Sequence, residues 1–401
     1  MSLNATPSAN RLHISFFGCR NAGKSSVVNA VTGQDLAVVS DIKGTTTDPV
    51  TKAMELLPLG PVVIIDTPGF DDVGKLGELR VRRTKQILNK TDVAVLVVDG
   101  TLGMREDDRQ LVELFREKQI PYLIAWNKSD LPGLLPEPEE HAIRVSAVTG
   151  SNIYELKERL GSLAPKEDPD HKLLGDLVQP NDVVVLVCPI DESAPKGRMI
   201  LPQQQGIRDA LDAGAIAVVT RELELQATLD SLGKKPAMVV TDSQAFKIVS
   251  QITPEEIPLT SFSILMARYK GFLKTAAAGV AAIKGLRDGD RVLMAEGCTH
   301  HRQCNDIGTV KIPNWLRAHT GKDLRIETCS GTEFPDDLSG YALVIHCGAC
   351  MLTDRDVQYR MKCAMDQNVP FTNYGITIAQ VTGTLERSLR LFPDIHALLE
   401  A

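Results

Sequence analysis

The segment from Gly18 to Ser25 has the composition of a phosphate-binding loop. It reads Gly-Cys-Arg-Asn-Ala-Gly-Lys-Ser. This matches the pattern in which two glycines are separated by four residues and the second glycine is followed by lysine and serine. The glycines let the backbone wrap a chain of phosphates, whose charge faces the loop amides and the N-terminus of the next helix. Lys24 can reach the β- and γ-phosphates, and the Ser25 hydroxyl is a typical Mg²⁺ ligand. The loop therefore predicts a site for a nucleoside triphosphate and Mg²⁺.

A second motif supplies a carboxylate for the same metal ion. Asp66-Thr-Pro-Gly69 follows an apolar stretch, which places Asp66 at the C-terminal end of a predicted strand. A carboxylate at such a position can hold Mg²⁺ through water. The stretch 44–48, Gly-Thr-Thr-Thr-Asp, lies between the two motifs, where a switch loop is expected, and offers a further hydroxyl ligand.

Two motifs further along the chain predict the base. Asn127-Lys128-Ser-Asp130 follows the predicted strand 122–126. The Asp130 carboxylate can accept hydrogen bonds from guanine N1–H and the 2-amino group, a pattern that adenine cannot match. Ser146-Ala147 follows a further strand and fits the loop that touches the oxygen of the base. Five motifs in this order predict a guanine nucleotide as the ligand.

Residues 11–160 resemble a small GTPase domain of the Era/TrmE-like branch, and the five motifs carry the resemblance. It implies GTP hydrolysis with Thr46 as the switch ligand of Mg²⁺, and the two adjacent threonines remain alternatives. It also implies a K⁺ ion bound by Asn21 in place of an arginine finger. Phe70 stands where Ras-like enzymes carry the glutamine that orients water, so slow or differently assisted hydrolysis is expected. The expected catalytic residues are Lys24, Thr46, Asp66 and Gly69, and the expected nucleotide-binding residues are Gly18, Asn21, Ala22, Gly23, Lys24, Ser25, Ser26, Asn127, Lys128, Asp130, Ser146 and Ala147.

Cysteines and histidines form a second cluster of chemically active residues, in the last third of the chain. Cys298-Thr-His300 and His346-Cys347-Gly-Ala-Cys350 are its main motifs, and the cysteines at 304 and 329 are reserve ligands. In a cytosolic chain such clustering favours metal or redox chemistry over disulfides. The thiolates of Cys298, Cys347 and Cys350, together with His300 or His346, suit tetrahedral zinc. The same three thiolates without a histidine suit an iron–sulfur cluster in which one iron has no cysteine ligand. A turn without metal is the third interpretation, and the spacing does not discriminate among them.

Short apolar strands that alternate with helical patterns must position these motifs, which indicates an α/β fold with a mainly parallel sheet. If the strands before the two cysteine motifs are parallel neighbours, both motifs lie at one sheet edge, and Gly348 permits the tight turn. The predicted strands are 12–17, 62–65, 93–98, 122–126, 144–145, 183–188, 215–219, 237–240, 291–295, 323–327, 341–345 and 369–374, with helices at 152–160 and 261–283 among others. The predicted architecture is an N-terminal P-loop GTPase domain (1–168), followed by two smaller α/β domains (169–265 and 266–401).

The full chain resembles the HydF family, the GTPases that mature FeFe hydrogenases. The resemblance rests on the GTPase motifs and on Cys-x-His, a gap of 45 residues and His-Cys-x-x-Cys. It implies that Cys298, Cys347 and Cys350 hold a 4Fe–4S cluster with a labile fourth site. His300 and His346 are then candidates for the fourth ligand or for residues that support the ligands.

The same resemblance implies the partners. The middle domain is expected to form a homodimer, and the last domain to bind the cluster. The protein would act as a scaffold for a di-iron precursor with CO, cyanide and a dithiolate bridge. That precursor would be assembled with two radical-SAM maturases and passed to apo FeFe-hydrogenase.

Composition narrows the alternatives. The formal net charge is −7, which disfavours nucleic acid as a partner because phosphate binding needs clustered positive charge. The longest apolar runs are too short to span a bilayer, and residues 1–10 have no apolar leader, so we expect a cytoplasmic protein without a membrane partner. Two rival functions remain: a GTPase with structural zinc that acts on RNA or ribosomes, and one that inserts another metal centre.

Overall fold

The computed structural model of the protein describes residues 8–34, 50–67, 84, 86–134, 141–165, 172–190, 199–297, 306–331 and 333–399. The chain divides into two compact units, Met1–Lys166 and Glu167–Ala401. Both units consist of mostly parallel sheets with helices between the strands, which confirms the predicted α/β class. Within the described ranges no helix has the length and apolar character needed to cross a lipid bilayer.

A six-stranded sheet forms the first unit. Its strands are β1 (Leu12–Phe17), β2 (Val50–Leu56), β3 (Gly60–Asp66), β4 (Val93–Asp99), β5 (Tyr122–Asn127) and β6 (Ala142–Arg144), and its helices include α1 (Lys24–Thr32), α2 (Glu106–Glu117) and α3 (Ile153–Leu163). The strand order is β2-β3-β1-β4-β5-β6. Residues 93–98 of β4 are valine, alanine and leucine, and the strand is buried along its full length, as a central parallel strand requires.

The edge strand β2 was not predicted from the sequence, because it lacks the apolar pattern of a buried strand. Thr51, Lys52 and Ala53 are exposed. The strand pairs antiparallel with β3, whereas the other pairs described in this sheet are parallel. Backbone hydrogen bonds to one neighbour therefore hold β2 in place without a buried apolar face.

Two four-stranded parallel sheets form the second unit. The first sheet has the order β10-β9-β7-β8 and the second the order β12-β11-β13-β14. The strands are β7 (Val183–Val187), β8 (Ile216–Thr220), β9 (Met238–Thr241), β10 (Leu259–Ser261), β11 (Arg291–Ala295), β12 (Arg325–Cys329), β13 (Leu343–His346) and β14 (Phe371–Asn373). The helices are α4 (Leu201–Asp212), α5 (Leu225–Ser231), α6 (Phe246–Ile252), α7 (Phe262–Tyr269), α8 (Leu273–Gly279), α9 (Ile312–Thr320), α10 (Asp354–Asp366), α11 (Tyr374–Thr382), α12 (Leu385–Leu389) and α13 (Pro393–His396). Buried residues of both sheets belong to one hydrophobic cluster, so the two sheets share a core.

The single long helix predicted for residues 261–283 is wrong. Ser261 ends β10, and its hydroxyl accepts a hydrogen bond from the amide of Ile264 and so caps α7. Gly271 then adopts a left-handed conformation with φ +75°, which ends α7 and turns the chain into α8. The apolar composition of the segment reflects burial of both short helices.

Candidate functional site

The phosphate-binding loop connects β1 to α1, and its backbone requires glycine at two positions. Gly18 has φ +139°, and a Cβ atom there would lie 2.2 Å from the carbonyl oxygen of Val97. Gly23 has φ +89°, and a Cβ atom there would lie 2.3 Å from Nδ2 of Asn127. The loop can therefore approach β4 and β5 only with glycine at both positions. Asn21, the predicted K⁺ ligand, is exposed and also left-handed, with φ +63°.

The Lys24 ammonium lies over this loop. Its Nζ donates hydrogen bonds to the carbonyl oxygens of Gly18 at 3.0 Å and of Cys19 at 3.2 Å. The side chain is buried, so a positive charge is held within the loop where nucleoside triphosphates bind in P-loop proteins. The contact between Lys24 and the phosphates stays a prediction.

Ser25 and Asp66 meet at the place predicted for Mg²⁺. Ser25 Oγ donates a hydrogen bond to Oδ2 of Asp66 over 2.7 Å. Asp66 is buried, and among the described residues its Oδ1 has no hydrogen-bond partner. Burial raises the pKa of Asp66, although the Ser25 hydrogen bond and the Lys24 charge offset part of this effect. A buried, unpartnered carboxylate oxygen beside a hydroxyl suits Mg²⁺, which takes oxygen ligands and would supply positive charge.

Asn127 joins the phosphate-binding loop to the base motif. Its Nδ2 donates to the carbonyl oxygen of Ala22 at 3.0 Å, and its Oδ1 accepts from the amide of Ala147 at 3.2 Å. The side chain is buried. One amide group therefore fixes the positions of both segments relative to each other.

The two residues predicted to contact the base are hydrogen-bonded to each other. Ser146 Oγ donates to Oδ1 of Asp130 over 2.5 Å and accepts a hydrogen bond from the amide of Thr149 at 3.1 Å. Ser146 is buried, whereas Asp130 is exposed. A buried serine thus holds an accessible carboxylate, which suits recognition of the guanine edge.

A pocket of about 410 Å³ lies beside the base motif. Its volume is within the range of small-molecule sites, about 300–1,000 Å³. It is lined by Ser26, Asn29, Ala30, Gly33, Gln34, Ala147 and Val148. Ser26 and Ala147, both predicted to bind nucleotide, are therefore brought together.

Asp99 is a site residue that the sequence analysis missed. Lys128 Nζ lies 2.6 Å from Oδ2 of Asp99, the last residue of β4. The Thr101 amide and hydroxyl donate to Oδ1 at 3.0 and 2.6 Å. Burial alone would raise the pKa of Asp99, but the hydrogen bonds from Lys128 and Thr101 outweigh it and lower the pKa. Its place at the C-terminal end of a strand beside β5 is the signal that would have found it.

The predicted cysteine motif 346–350 lies at the C-terminal edge of the sheet that contains β11 and β13. These strands are parallel neighbours, as the sequence analysis required. Sγ of Cys347 accepts hydrogen bonds from the amide of Gly297 at 3.1 Å and from the amide of Ala349 at 3.4 Å. Burial raises the pKa of the Cys347 thiol, and these two N–H groups act in the opposite direction. Amides directed at sulfur stabilise a thiolate, so the geometry fits a metal-bound cysteine.

The tight turn between Cys347 and Cys350 does not depend on Gly348 in the way we predicted. Gly348 is not among the residues with positive φ, whereas Ala349 has φ +59° and is buried. An alanine in the left-handed region costs about 1 kcal/mol, a strain of the kind that occurs at functional sites.

Both ring nitrogens of His346 have protein partners. Nδ1 lies 2.8 Å from the carbonyl oxygen of Cys347, and Nε2 lies 3.4 Å from Nη1 of Arg360. Burial and then the charge of Arg360 lower the pKa of His346 to about 3, so the ring is neutral. A neutral ring that donates from Nδ1 and accepts at Nε2 supports the chain at Cys347. These contacts favour a supporting role for His346 over a ligand role.

Several predicted residues lie outside the described ranges. They are Thr46, Gly69, Phe70, Cys298, His300 and the reserve ligand Cys304. Cys329 ends β12, where burial raises its pKa to about 11. Cys350 is half-buried. In the part of the chain that is described, no three metal-binding side chains converge.

Three sequence families match the chain. The Hydrogen maturase F dimerization domain matches residues 173–271, and the Hydrogen maturase F tetramerization domain matches residues 274–391. These two matches together cover more than half of the chain. The family described as 50S ribosome-binding GTPase matches residues 13–128. Dimerisation was predicted from the sequence, whereas the tetramerization in the name of the family that matches residues 274–391 was not.

Individual relatives resemble a shorter part of the chain. The tRNA modification GTPase MnmE of Synechococcus sp. is 38% identical over 168 residues, which are 40% of this chain and 35% of that protein. GTPase Der of Kosmotoga olearia is 32% identical over 176 residues, which are 39% of this chain and 40% of that protein. The chain thus spans well under half the length of these curated relatives.

Solved structures of GTPases are also similar to part of the chain. Aquifex aeolicus Era bound to GDP and AlF₄⁻ is 20% identical, with a TM-score of 0.35, over 55% of this chain and 98% of that chain. The G domain of the T. maritima FeoB iron transporter is 23% identical, with a TM-score of 0.30, over 38% of this chain and 99% of that chain.

Proposed function

Because the chain belongs to the Hydrogen maturase F family of GTPases, we propose that it is a GTP-hydrolysing scaffold for FeFe-hydrogenase maturation. In this proposal it binds a 4Fe–4S cluster and delivers a di-iron precursor to the apo-hydrogenase. The observation that carries it is the Cys347 turn, where two backbone amides face a sulfur at the edge of a parallel sheet. The chain immediately before Cys298 takes part in this arrangement through Gly297.

The GTPase domain hydrolyses GTP to GDP and phosphate, and the residues have distinct parts in this reaction. Lys24 holds a positive charge against the β- and γ-phosphates, and Ser25 and Asp66 provide the oxygen ligands of Mg²⁺. Asp130 selects guanine, and Asn127 keeps the base motif in position relative to the loop. Thr46 and Gly69 are the other two residues that we propose to act in catalysis.

K⁺ stimulation belongs to the same proposal, with Asn21 as the protein ligand. Its exposed position and left-handed backbone keep it at the surface of the phosphate-binding loop. A monovalent cation bound there would place positive charge near the phosphates, as an arginine finger does in other GTPases.

Cys298, Cys347 and Cys350 are the proposed cluster ligands, and His346 supports them. Three thiolates leave one iron of a cubane cluster open to an exchangeable ligand, with His300 as a candidate. An open position suits a carrier, because cargo can be bound there and later released. The cluster would supply electron transfer and that open coordination site.

In the proposed assembly the chain comprises a GTPase domain (1–168), a dimerisation domain (169–265) and a cluster-binding domain (266–401). Its partners are apo FeFe-hydrogenase and two radical-SAM maturases, and the middle domain forms a homodimer. The proposed location is the cytoplasm, where reducing conditions keep cysteine ligands available as thiols.

Anaerobic reconstitution, with analysis of iron, sulfide and zinc, tests the cluster. About four irons and four sulfides per chain, with a paramagnetic reduced state, would support the proposal. One tightly held zinc and no cluster would instead indicate a zinc-bearing GTPase of RNA metabolism. Co-expression with apo-hydrogenase tests delivery: hydrogenase activity that depends on this chain supports it, and activity without this chain contradicts it.

A further inference from the structure

We infer that Arg360 is a positioning residue for the cysteine site and that its buried charge sets the reduction potential of the bound cluster. The inference rests on the proposed function. Nothing in the sequence pattern singled out Arg360, which lies on α10 outside the cysteine motifs.

The Arg360 guanidinium is buried, with 1% of the residue exposed, and its described contacts use all three nitrogens. Nε donates to Oδ1 of Asp356 at 3.0 Å, and Nη1 donates to Nε2 of His346 at 3.4 Å. Nη2 donates to the carbonyl oxygen of Gly331. The guanidinium carbon lies 5.3 Å from the ring centroid of Phe334, so the group is also stacked.

These contacts join the two strands on either side of β11. Gly331 follows the end of β12, and His346 is the last residue of β13. Strand β11 lies between them and leads to Gly297, whose amide faces the sulfur of Cys347. One side chain therefore fixes the chain on both sides of the strand that precedes Cys298. A planar guanidinium with several fixed donors can do this, whereas the single ammonium of lysine cannot.

His346 transmits this constraint to the cysteine turn. Its Nε2 accepts from Arg360, which leaves the proton on Nδ1, and Nδ1 faces the carbonyl oxygen of Cys347. The tautomer that Arg360 selects is thus the one that can hold the turn. This chain of contacts resembles the outer hydrogen bonds that orient ligands in other metal sites.

The charge of Arg360 acts on the cluster as well. Arginine remains protonated in proteins, and here it forms an ion pair with the buried carboxylate of Asp356. Three thiolates make a 4Fe–4S cluster anionic, and reduction adds one further negative charge. A cation nearby stabilises the reduced state more than the oxidised state, so Arg360 should raise the potential.

Two substitutions that should shift the midpoint potential in opposite directions test this inference. Arg360→Met removes the charge at similar length, and Asp356→Asn removes the counter-charge but keeps a hydrogen-bond acceptor for Arg360. Each full-length variant is reconstituted anaerobically, and iron, sulfide and the midpoint potential by EPR-monitored titration are measured. At the wild-type midpoint, Arg360→Met should lower the ratio of reduced to oxidised cluster about tenfold, and Asp356→Asn should raise it. A tenfold change equals ~59 mV for a one-electron couple.

Further variants separate charge from geometry. Arg360→Lys keeps the positive charge but loses the planar group with several fixed donors. Its midpoint potential should therefore be nearer to that of the wild type than the potential of Arg360→Met, and it should hold less iron than the wild type. Arg390→Met removes an exposed arginine of the same unit and should change neither quantity.

The possible failures are distinguishable. If Arg360→Met does not fold, the direction in which Asp356→Asn shifts the midpoint potential tests the inference on its own. A loaded wild type with unchanged potential in Asp356→Asn overturns the role of Arg360 and leaves the proposed function intact. A wild type that takes up no iron and sulfide overturns both.

Discussion

The backbone amide of Gly297 lies 3.1 Å from Sγ of Cys347, although 50 residues separate them in the sequence. The contact exists because β11 and β13 are adjacent parallel strands, so the residues that follow them meet at one edge. Cys298 follows Gly297 directly. The residue that precedes Cys298 and the Cys347 turn therefore lie at the same edge of the sheet.

Replacement of Cys347 by serine should abolish the cluster and leave GTP hydrolysis unchanged. The sulfur accepts two amide hydrogen bonds and is one of three proposed ligands, whereas the nucleotide residues belong to the other compact unit. Iron and sulfide content after anaerobic reconstitution should fall to near zero, with the GTPase rate measured on the same preparation.

Cys363→Ser is the matched control for this substitution. Cys363 lies in α10, is half-buried and is not part of the cysteine signature. This variant should bind iron as wild type does. Simultaneous loss of cluster and GTPase activity in Cys347→Ser would show that the two activities do not reside in separate units.

Most strand positions could be predicted because buried parallel strands are continuous apolar runs. Strands β1 (Leu12–Phe17) and β11 (Arg291–Ala295) have the bounds that were predicted from the sequence. Four of the five nucleotide motifs could be recognised in the same way, since each combines specific residue types with a predicted strand before it. Strands and motifs whose residues are adjacent in the sequence could therefore be predicted from the local sequence alone.

Contacts between distant segments could not be predicted in this way. Asp99 pairs with Lys128, and Arg360 contacts His346, only because the sheets bring separate strands and helices together. Ala349 was missed for another reason: its left-handed backbone is imposed by the turn against its own preference. Local conformational preference would place glycine at the left-handed position of this turn, whereas the tertiary structure holds Ala349 there.

Asp66→Asn should lower GTP hydrolysis on the order of 10²-fold, the usual cost of removing one electrostatic contact to a transition state. The amide keeps the shape but not the negative charge that Mg²⁺ requires at this buried position. Hydrolysis should also need more Mg²⁺, which a titration of rate against Mg²⁺ concentration measures. Asp107→Asn, on α2, is the control, and an unchanged Mg²⁺ dependence in Asp66→Asn would argue against this metal site.

Asp130→Asn should move base preference from guanine towards xanthine. A carboxylate accepts from N1–H and the 2-amino group of guanine, whereas an amide can donate to the 2-oxo group of xanthine. The Asn side chain can still accept from Ser146, so the motif should keep its shape. Competition binding with GTP and xanthosine triphosphate measures the change. Equal weakening for both nucleotides would indicate a structural defect instead of altered recognition.

Asn21→Ala should remove stimulation of GTP hydrolysis by K⁺ and leave the rate in Na⁺ unchanged. The proposed ion needs the side-chain oxygen of Asn21, and alanine offers no ligand. Asn21→Gly is the necessary partner, because φ at this position is +63° and alanine adds strain that glycine does not. Loss of stimulation in both variants supports the site. Stimulation that persists in Asn21→Gly would place the K⁺ ligand elsewhere.

Val219→Lys should halve the particle mass by disrupting the proposed interface of the middle domain. Strand β8 is the edge of its sheet, and Val219 and Ile216 expose 46% and 49% of their surface there. An exposed apolar edge is suited to pairing with the same edge of a second copy, and a lysine on it opposes such pairing. Light scattering after size exclusion measures the mass, with Leu102→Lys as a control at an exposed apolar residue of the first unit. A mass equal to wild type in Val219→Lys would exclude β8 as the interface, whereas a halved mass in both variants would indicate a general effect of added charge.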